Sequence, residues 1–199
     1  MPTDDPDHAL TAWLDHEEKL FRRHEHFRIA GYLENGLMVA GKPDVDSFIK
    51  FSLSIQNARK SRMGYALEHH LECLFEYHKL PFSRGQLTER KNKPDFIFPG
   101  IEHYRNVGFA ARDLTMLASK STCKDRWRQV LVEADRIGQK HLITLEPGIS
   151  KSQTDEMSEK SLQLIVPKRI FGSYRPEQQA WLMNVSDFIH HVRGKQKSR

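Results

Sequence analysis

The sequence is poor in cysteine, and its two cysteines, Cys73 and Cys123, form no CxxC pair. That excludes a disulfide framework and a zinc ribbon. No run approaches 18 apolar residues, and the first 20 residues lack both a basic start and an apolar core. A membrane-spanning helix and a secretion signal are therefore not expected, and the chain is expected to be cytoplasmic. Internal repeats, low-complexity tracts and a GxSxG nucleophile motif are also missing. What is present suits a folded domain: 38% hydrophobic, 10% aromatic and 29% charged residues, with a mean hydropathy of -0.64. At 199 residues the chain fits one domain with a helical arm.

Charge is unevenly spread. The net +5 conceals an acidic start, with six acids and one base in the first 20 residues, and a basic body. A basic body is compatible with a phosphate-rich partner, because lysine and arginine replace counterions along a nucleic-acid backbone. The last residues, 193–199, form a basic tail that adds to this attraction.

Periodicity divides the chain. Leu10, Trp13, Leu14, Leu20, Phe21 and Phe27 predict an amphipathic helix over 9–29, and Val45, Phe48, Ile49, Leu53 and Ile55 a second over 44–60. Gly64 is read as the break before a third, with Leu67, Leu71, Leu74, Phe75 and His78 on one face. Strands follow at 95–98 and 113–120. A helix over 122–137 would bury Trp127, Val130, Leu131, Ala134 and Ile137, with Thr122 and Asp125 at capping-box spacing. Further strands fall at 141–145 and 162–166, and a helix at 178–192 closes the chain. The pattern predicts an α/β fold, a mixed central sheet flanked by helices. Residues 1–62 form an N-terminal helical arm of the same domain, and 63–199 the core.

The sharpest chemical constellation is Pro94 and Asp95 opening one strand, Lys120 ending the next, and Glu133 on the helix after it. Phosphodiester hydrolysis needs carboxylates to hold a divalent cation, and a nearby ammonium to orient water and offset developing charge. Asp95 and Glu133 are the candidate metal ligands and Lys120 the cation, and carboxylate oxygens favour Mg²⁺. Bland readings stand beside these. Asp95 alone could simply open a strand, Lys120 and Glu133 could be solvated charges, and Asp125 could serve only to cap a helix. His69, His70 and Cys73 on one helix, with His24 and His26 on another, lack a second motif that would complete a zinc site.

The constellation resembles the PD-(D/E)xK nucleases, with one departure. The acid usually found two residues before the lysine is Ala118 here. Some restriction endonucleases of that superfamily take the acid from the following helix, with twelve residues between it and the lysine, and Lys120 and Glu133 have that spacing. The segment KSTCKDRWRQVLVEAD at 120–135 is similar to the EcoRII restriction endonuclease family, in its C-terminal catalytic domain. So, in order, are AWLDHEEKLFRRHE near the start, VDSFIKFSLSIQNARKSRMGYALEHHL at 45–71 and KPDFIFPG at 93–100. This resemblance implies a restriction-endonuclease-like core with Asp95, Lys120 and Glu133 as catalytic residues. It implies Glu68 as an upstream acid that orients the metal and its waters, and Tyr104 in a supporting hydrogen-bonding role. Lys124, Asp125 and Arg126 match a basic, acidic, basic triplet that reads adjacent G·C pairs, a donor and acceptor pattern suited to guanine and cytosine edges. The implied substrate is double-stranded DNA carrying a CCWGG-like site. The implied protein is a Mg²⁺-dependent homodimer that cuts both strands and leaves 5′-phosphates. Longer family members carry an additional DNA-binding domain at the N-terminus, which is not expected in a chain of this length. The rivals are a single-strand-nicking repair endonuclease on the same core and a noncatalytic DNA-binding module.

Overall fold

The computed structural model describes residues 4–34, 38–39, 42–123 and 126–197. Two long helices come first, α1 (Pro6–Glu34) and α2 (Val45–Tyr77), separated by a short antiparallel pair, β1 (Met38–Val39) and β2 (Lys42–Pro43). Asp44 caps α2 by accepting a hydrogen bond from the Ser47 amide at 3.1 Å. Polar contacts join the helices along their length. The guanidinium of Arg59 takes the carboxylate of Glu25, Arg62 bonds Glu18, and His70 Nε2 lies 2.8 Å from Glu17 Oε2.

A five-stranded mixed sheet follows: β3 (Ser83–Arg84), β4 (Phe96–Phe98), β5 (Thr115–Lys120), β6 (Lys140–Thr144) and β7 (Leu162–Ile165), in that spatial order. β4 pairs antiparallel with β3 and β5, while β5, β6 and β7 run parallel. The remaining α-helices among the described residues are α3 (Ile101–Arg105), α4 (Trp127–Val130), α5 (Lys151–Glu159), α6 (Pro176–Gln179) and α7 (Val185–Lys197).

Both faces of the sheet are covered. On one, Phe96, Phe98, Leu117, Ile143 and Ile165 pack against Leu10 of α1, Leu67, Leu71, Leu74 and Phe75 of α2, and Phe188, Ile189 and Val192 of α7. On the other, Ile97, Met116, Ala118, Leu142 and Leu164 meet Ile101 and Tyr104 of α3, Trp127 and Val130 of α4, and Met157 of α5. Successive residues of β5 thus alternate between two cores, not between core and water. The fold class predicted from the sequence, an α/β mixed sheet flanked by helices, is the one observed.

Several elements differ from expectation. Gly64 lies inside α2 and does not end it. A helical glycine costs only about 1 kcal/mol relative to alanine, less than the buried Ile55 before it and Leu67, Leu71 and Leu74 after it contribute. α2 accordingly runs through the position between 62 and 63 where the arm was divided from the core. The helix expected over 122–137 is one turn, Trp127–Val130, after which the chain proceeds through turns and Ala134 adopts a left-handed φ of 50°. The apolar spacing there was a true sign of burial but not of helix. The helix expected over 178–192 is split, because Met183 bridges to Ile165 and exchanges backbone bonds with β7, its N–H donating to Leu164 O at 3.1 Å. The small elements α3, α5 and β3 carry too little periodicity to have been read.

Asp7 fastens α1 to the rest of the fold. Its carboxylate is 4% exposed and accepts from the amides of Lys168 (2.9 Å), Val185 (3.0 Å) and Ser186 (3.0 Å), so it caps α7. Asp7→Ala leaves these donors unpaired. The expected loss is about 2 to 3 kcal/mol of stability, measured by denaturant unfolding.

His141, fully buried on β6, lies with its ring 5.1 Å from His191 and 5.4 Å from Phe188. Burial pushes its pKa from 6.5 down to about 3, with His191 and Lys195 adding to the shift. The folded state therefore favours the neutral ring. Its contribution to stability is complete above pH 6.5 and is lost as the pH falls below that value toward 3. Unfolding free energy followed between pH 7 and 4 should decline, and His141→Leu should flatten the decline.

Candidate functional site

The β4/β5 register places the site. Phe96 pairs with Leu117, so Asp95, one residue before β4, comes beside the end of β5. Asp95 Oδ2 accepts from the Ser119 amide at 2.6 Å and the Ser119 hydroxyl at 3.2 Å, and from Lys120 Nζ at 3.4 Å. Both charged side chains are partly shielded, with Asp95 17% and Lys120 22% exposed. Oδ1 takes no part in these bonds, and the lysine retains two further N–H donors.

Glu133 reaches the same charges from the turns after α4. It is on no helix, contrary to the sequence expectation, and its neighbours Val130 and Ala134 pack in the core that holds Ala118. Its Oε2 is buried and has no hydrogen-bond partner among the described residues. Burial raises its pKa from 4.5 to about 7. Lys120 opposes the rise, Asp95 adds to it and Lys140 opposes it. An unpartnered buried carboxylate oxygen is costly unless something pairs with it, and a cation would do so.

No group of three or more His, Cys, Asp or Glu residues with metal-binding geometry occurs among the described residues. Two carboxylates are nonetheless a normal protein share for Mg²⁺, which keeps several waters and takes its remaining oxygens from substrate phosphates. The oxygen-only donors Asp95 and Glu133 fit such an ion.

The other predicted residues lie around this centre. Glu68 is not in the Asp95, Lys120 and Glu133 group. It pairs with Arg84 Nη2 at 2.9 Å, and the same guanidinium holds Glu72 at 2.5 Å. Arg84 is close in structure, since β3 pairs with β4 and the Gly85 amide donates to Asp95 O at 2.9 Å. Tyr104 is buried in α3 and donates to Glu89 Oε2 at 2.6 Å, while its Oη accepts from the Arg136 amide at 3.3 Å. Burial and the Glu89 carboxylate raise its pKa, so it stays a neutral phenol that braces the turns carrying Glu133. Arg126 stands exposed at the start of α4, with its guanidinium folded back on Thr122 O at 3.1 Å. Lys124 and Asp125, and with them the capping box, lie outside the described residues.

Sequence reasoning missed Ser119, Arg84, Glu89, Asn92 and Lys140. Ser119 could have been suspected as the neighbour of Lys120. The others are joined to the site only by strand pairing and long-range bonds, for which the local sequence has no signal.

The architecture is that of the PD-(D/E)xK nucleases. A solved structure described as metal-depleted Ecl18kI in complex with uncleaved DNA superposes with a TM-score of 0.77, covering 98% of this chain and 71% of that one at 19% identity. A second, with uncleaved, modified DNA, gives 0.73 at 20% identity, covering 98% and 70%. At the level of sequence, the family model described as EcoRII C terminal matches residues 21–189. The type II restriction enzyme EcoRII of Escherichia coli is 41% identical over 191 residues, which is 96% of this chain and 46% of that protein. The type II restriction enzyme SsoII of Shigella sonnei is 26% identical over 124 residues, 57% of this chain and 40% of that protein. The chain belongs to the EcoRII C-terminal family, and it spans less than half the length of these two relatives.

Glu133→Gln removes a carboxyl whose ionisation the fold resists. Without divalent metal the variant should be more stable than wild type at pH 8, by on the order of 1 to 3 kcal/mol, and little changed at pH 5, where Glu133 is already protonated in the folded state. Thermal unfolding in EDTA at both pH values measures this.

Proposed function

We propose that the chain acts as a type II restriction endonuclease, a Mg²⁺-dependent hydrolase of phosphodiester bonds in both strands of double-stranded DNA. The observation that carries this reading is the meeting of Asp95 and Lys120 at 3.4 Å, with the partnerless buried oxygen of Glu133 under the influence of both. Held by the Asp95 and Glu133 carboxylates, Mg²⁺ would supply Lewis-acid stabilisation of charge on the scissile phosphate. The chain's own groups do the rest. Ser119 fixes Asp95 through its amide and hydroxyl, which bond Oδ2 and leave Oδ1 for a metal ion. Lys120 gives one N–H to Asp95 and keeps two, one to orient the attacking water and one for a phosphate oxygen. Glu68 is steadied by Arg84 at the margin of the site, from which it orients waters.

The finer features of the reading come from the family. The target is CCWGG or a close relative, cut to leave 5′-phosphates, with Lys124, Asp125 and Arg126 reading the G·C pairs. A nearly palindromic target is most simply read by a two-fold symmetric protein, so the working form is a homodimer with one site per strand. It works in the cytoplasm, where the DNA is.

Digestion of a plasmid of known sequence, with Mg²⁺ and with EDTA, followed by sequencing of the ends, tests the reading. Discrete Mg²⁺-dependent fragments ending at CCWGG are expected, from a species of twice 23.2 kDa in solution. Nicks alone would point to the repair enzyme, and an intact plasmid that is specifically bound would point to the noncatalytic module. Asp95→Ala and Lys120→Ala should each lower the cleavage rate by about 10³-fold or more while DNA affinity in EDTA is kept. Undiminished cleavage by the Lys120 variant would overturn the mechanism.

A further inference from the structure

The turns that bring Glu133 to the site are held by side chains from elsewhere. Asn92 Nδ2 donates to Val132 O at 2.6 Å, and Lys140 Nζ donates to Glu133 O at 2.5 Å and to Ala134 O at 2.6 Å. The amides of Asp135 and Arg136 donate to Glu89 Oε2 at 3.4 Å and Tyr104 Oη at 3.3 Å. Every peptide from Val132 to Arg136 is thus gripped. Lys140 is the support that holds Glu133 itself.

Lys140 is an unusual residue for its place. It opens β6 and is 5% exposed, and among the described residues it has no carboxylate within ion-pair distance. A lysine is almost never buried so deeply without a specific partner. Here the partners are two successive carbonyls, and they converge on one ammonium across Ala134, whose φ of 50° is a conformation alanine rarely adopts. The same ammonium that satisfies these carbonyls therefore holds a strained turn in place.

We propose that Lys140 is a positioning residue for Glu133: by gripping the carbonyls of Glu133 and Ala134 it fixes the direction in which the Glu133 carboxylate enters the site, and so sets how tightly a divalent cation is held there. The proposal rests on the nuclease reading above. The hydrogen bonds of Lys140 go to backbone carbonyls, so it acts on Glu133 by fixing its backbone, with its charge also favouring the ionised carboxyl.

The test compares wild type with Lys140→Met, Lys140→Gln and Lys140→Arg in the full chain. Mn²⁺ is titrated by electron paramagnetic resonance into each protein bound to duplex DNA with a nonhydrolysable phosphate. Cleavage is followed against Mg²⁺, and metal-free DNA affinity and thermal unfolding serve as controls. Lys140→Met should weaken Mn²⁺ binding and raise the Mg²⁺ concentration for half-maximal cleavage by roughly 10-fold or more, the usual range for groups that orient a metal ligand. Metal-free DNA affinity should stay within about twofold, and arginine, which keeps a cation with several donors, should restore most of the metal affinity. If the methionine variant does not fold, glutamine decides, since its neutral amide is one atom shorter than the lysine and cannot keep both charge-assisted bonds to the carbonyls. Wild-type metal affinity in a folded methionine or glutamine variant overturns the proposal, as does a loss of DNA affinity and metal affinity together, which would mark a purely structural role. Wild-type protein that fails to cleave DNA with any divalent metal would instead overturn the nuclease reading itself, and this proposal with it.

Discussion

Antiparallel pairing of β4 with β5 sets Phe96 opposite Leu117 and brings Asp95 against the last turn of the β5 backbone, where the Ser119 amide reaches its carboxylate at 2.6 Å. Everything in the site is referred to that register. A slip of one residue would exchange Phe96 and Ile97 between the two cores and carry Asp95 away from Lys120. Such a slip is opposed from both sides, since both faces of the sheet are packed. The cores therefore do more than stabilise the fold: they hold an acid and a lysine, 25 residues apart in sequence, at 3.4 Å.

The third charge arrives by a different route. In the common form of this nuclease architecture the second acid shares a strand face with the lysine, and its position is then a matter of strand periodicity alone. Ala118 is packed in the core at that place, so in the proposed nuclease the acid comes from outside the strand. Glu133 comes from the turns that follow α4, where no regular element sets its direction. Side chains from β6, from α3 and from the loop before β4 supply the missing hydrogen bonds. A carboxyl delivered in this way is desolvated, and the pKa of about 7 that follows expresses a competition between burial and the nearby lysines. A cation in the site would settle that competition in favour of the ionised form.

The helical hairpin and the sheet are mechanically one body. α2 contributes Leu67, Leu71, Leu74 and Phe75 to the core beneath β4, and Asp7 at the start of α1 caps α7 across the same core. Glu68, one residue after Leu67 on α2, thereby comes within reach of Arg84 on the edge strand.

Much of this was legible in the amino-acid order. The apolar stripe of α2, the buried strands at 96–98, 115–120, 140–144 and 162–165, and the placing of Asp95 and Lys120 at strand ends follow from local periodicity and turn residues, which act over a few positions and survive in a linear reading. The family motifs also singled out Glu133, by its spacing from Lys120, and its carboxyl lies under the influence of Lys120 and Asp95. Tertiary structure decided the rest: that Gly64 would be carried through by the helix around it, that residues 131–137 would be turns, that Met183 would join the sheet, and that Tyr104 and Lys140 would brace Glu133. The reason is common to all of these. Each depends on hydrogen bonds or packing between residues far apart in the chain, and such partners become available only once the sheet has formed and set them side by side.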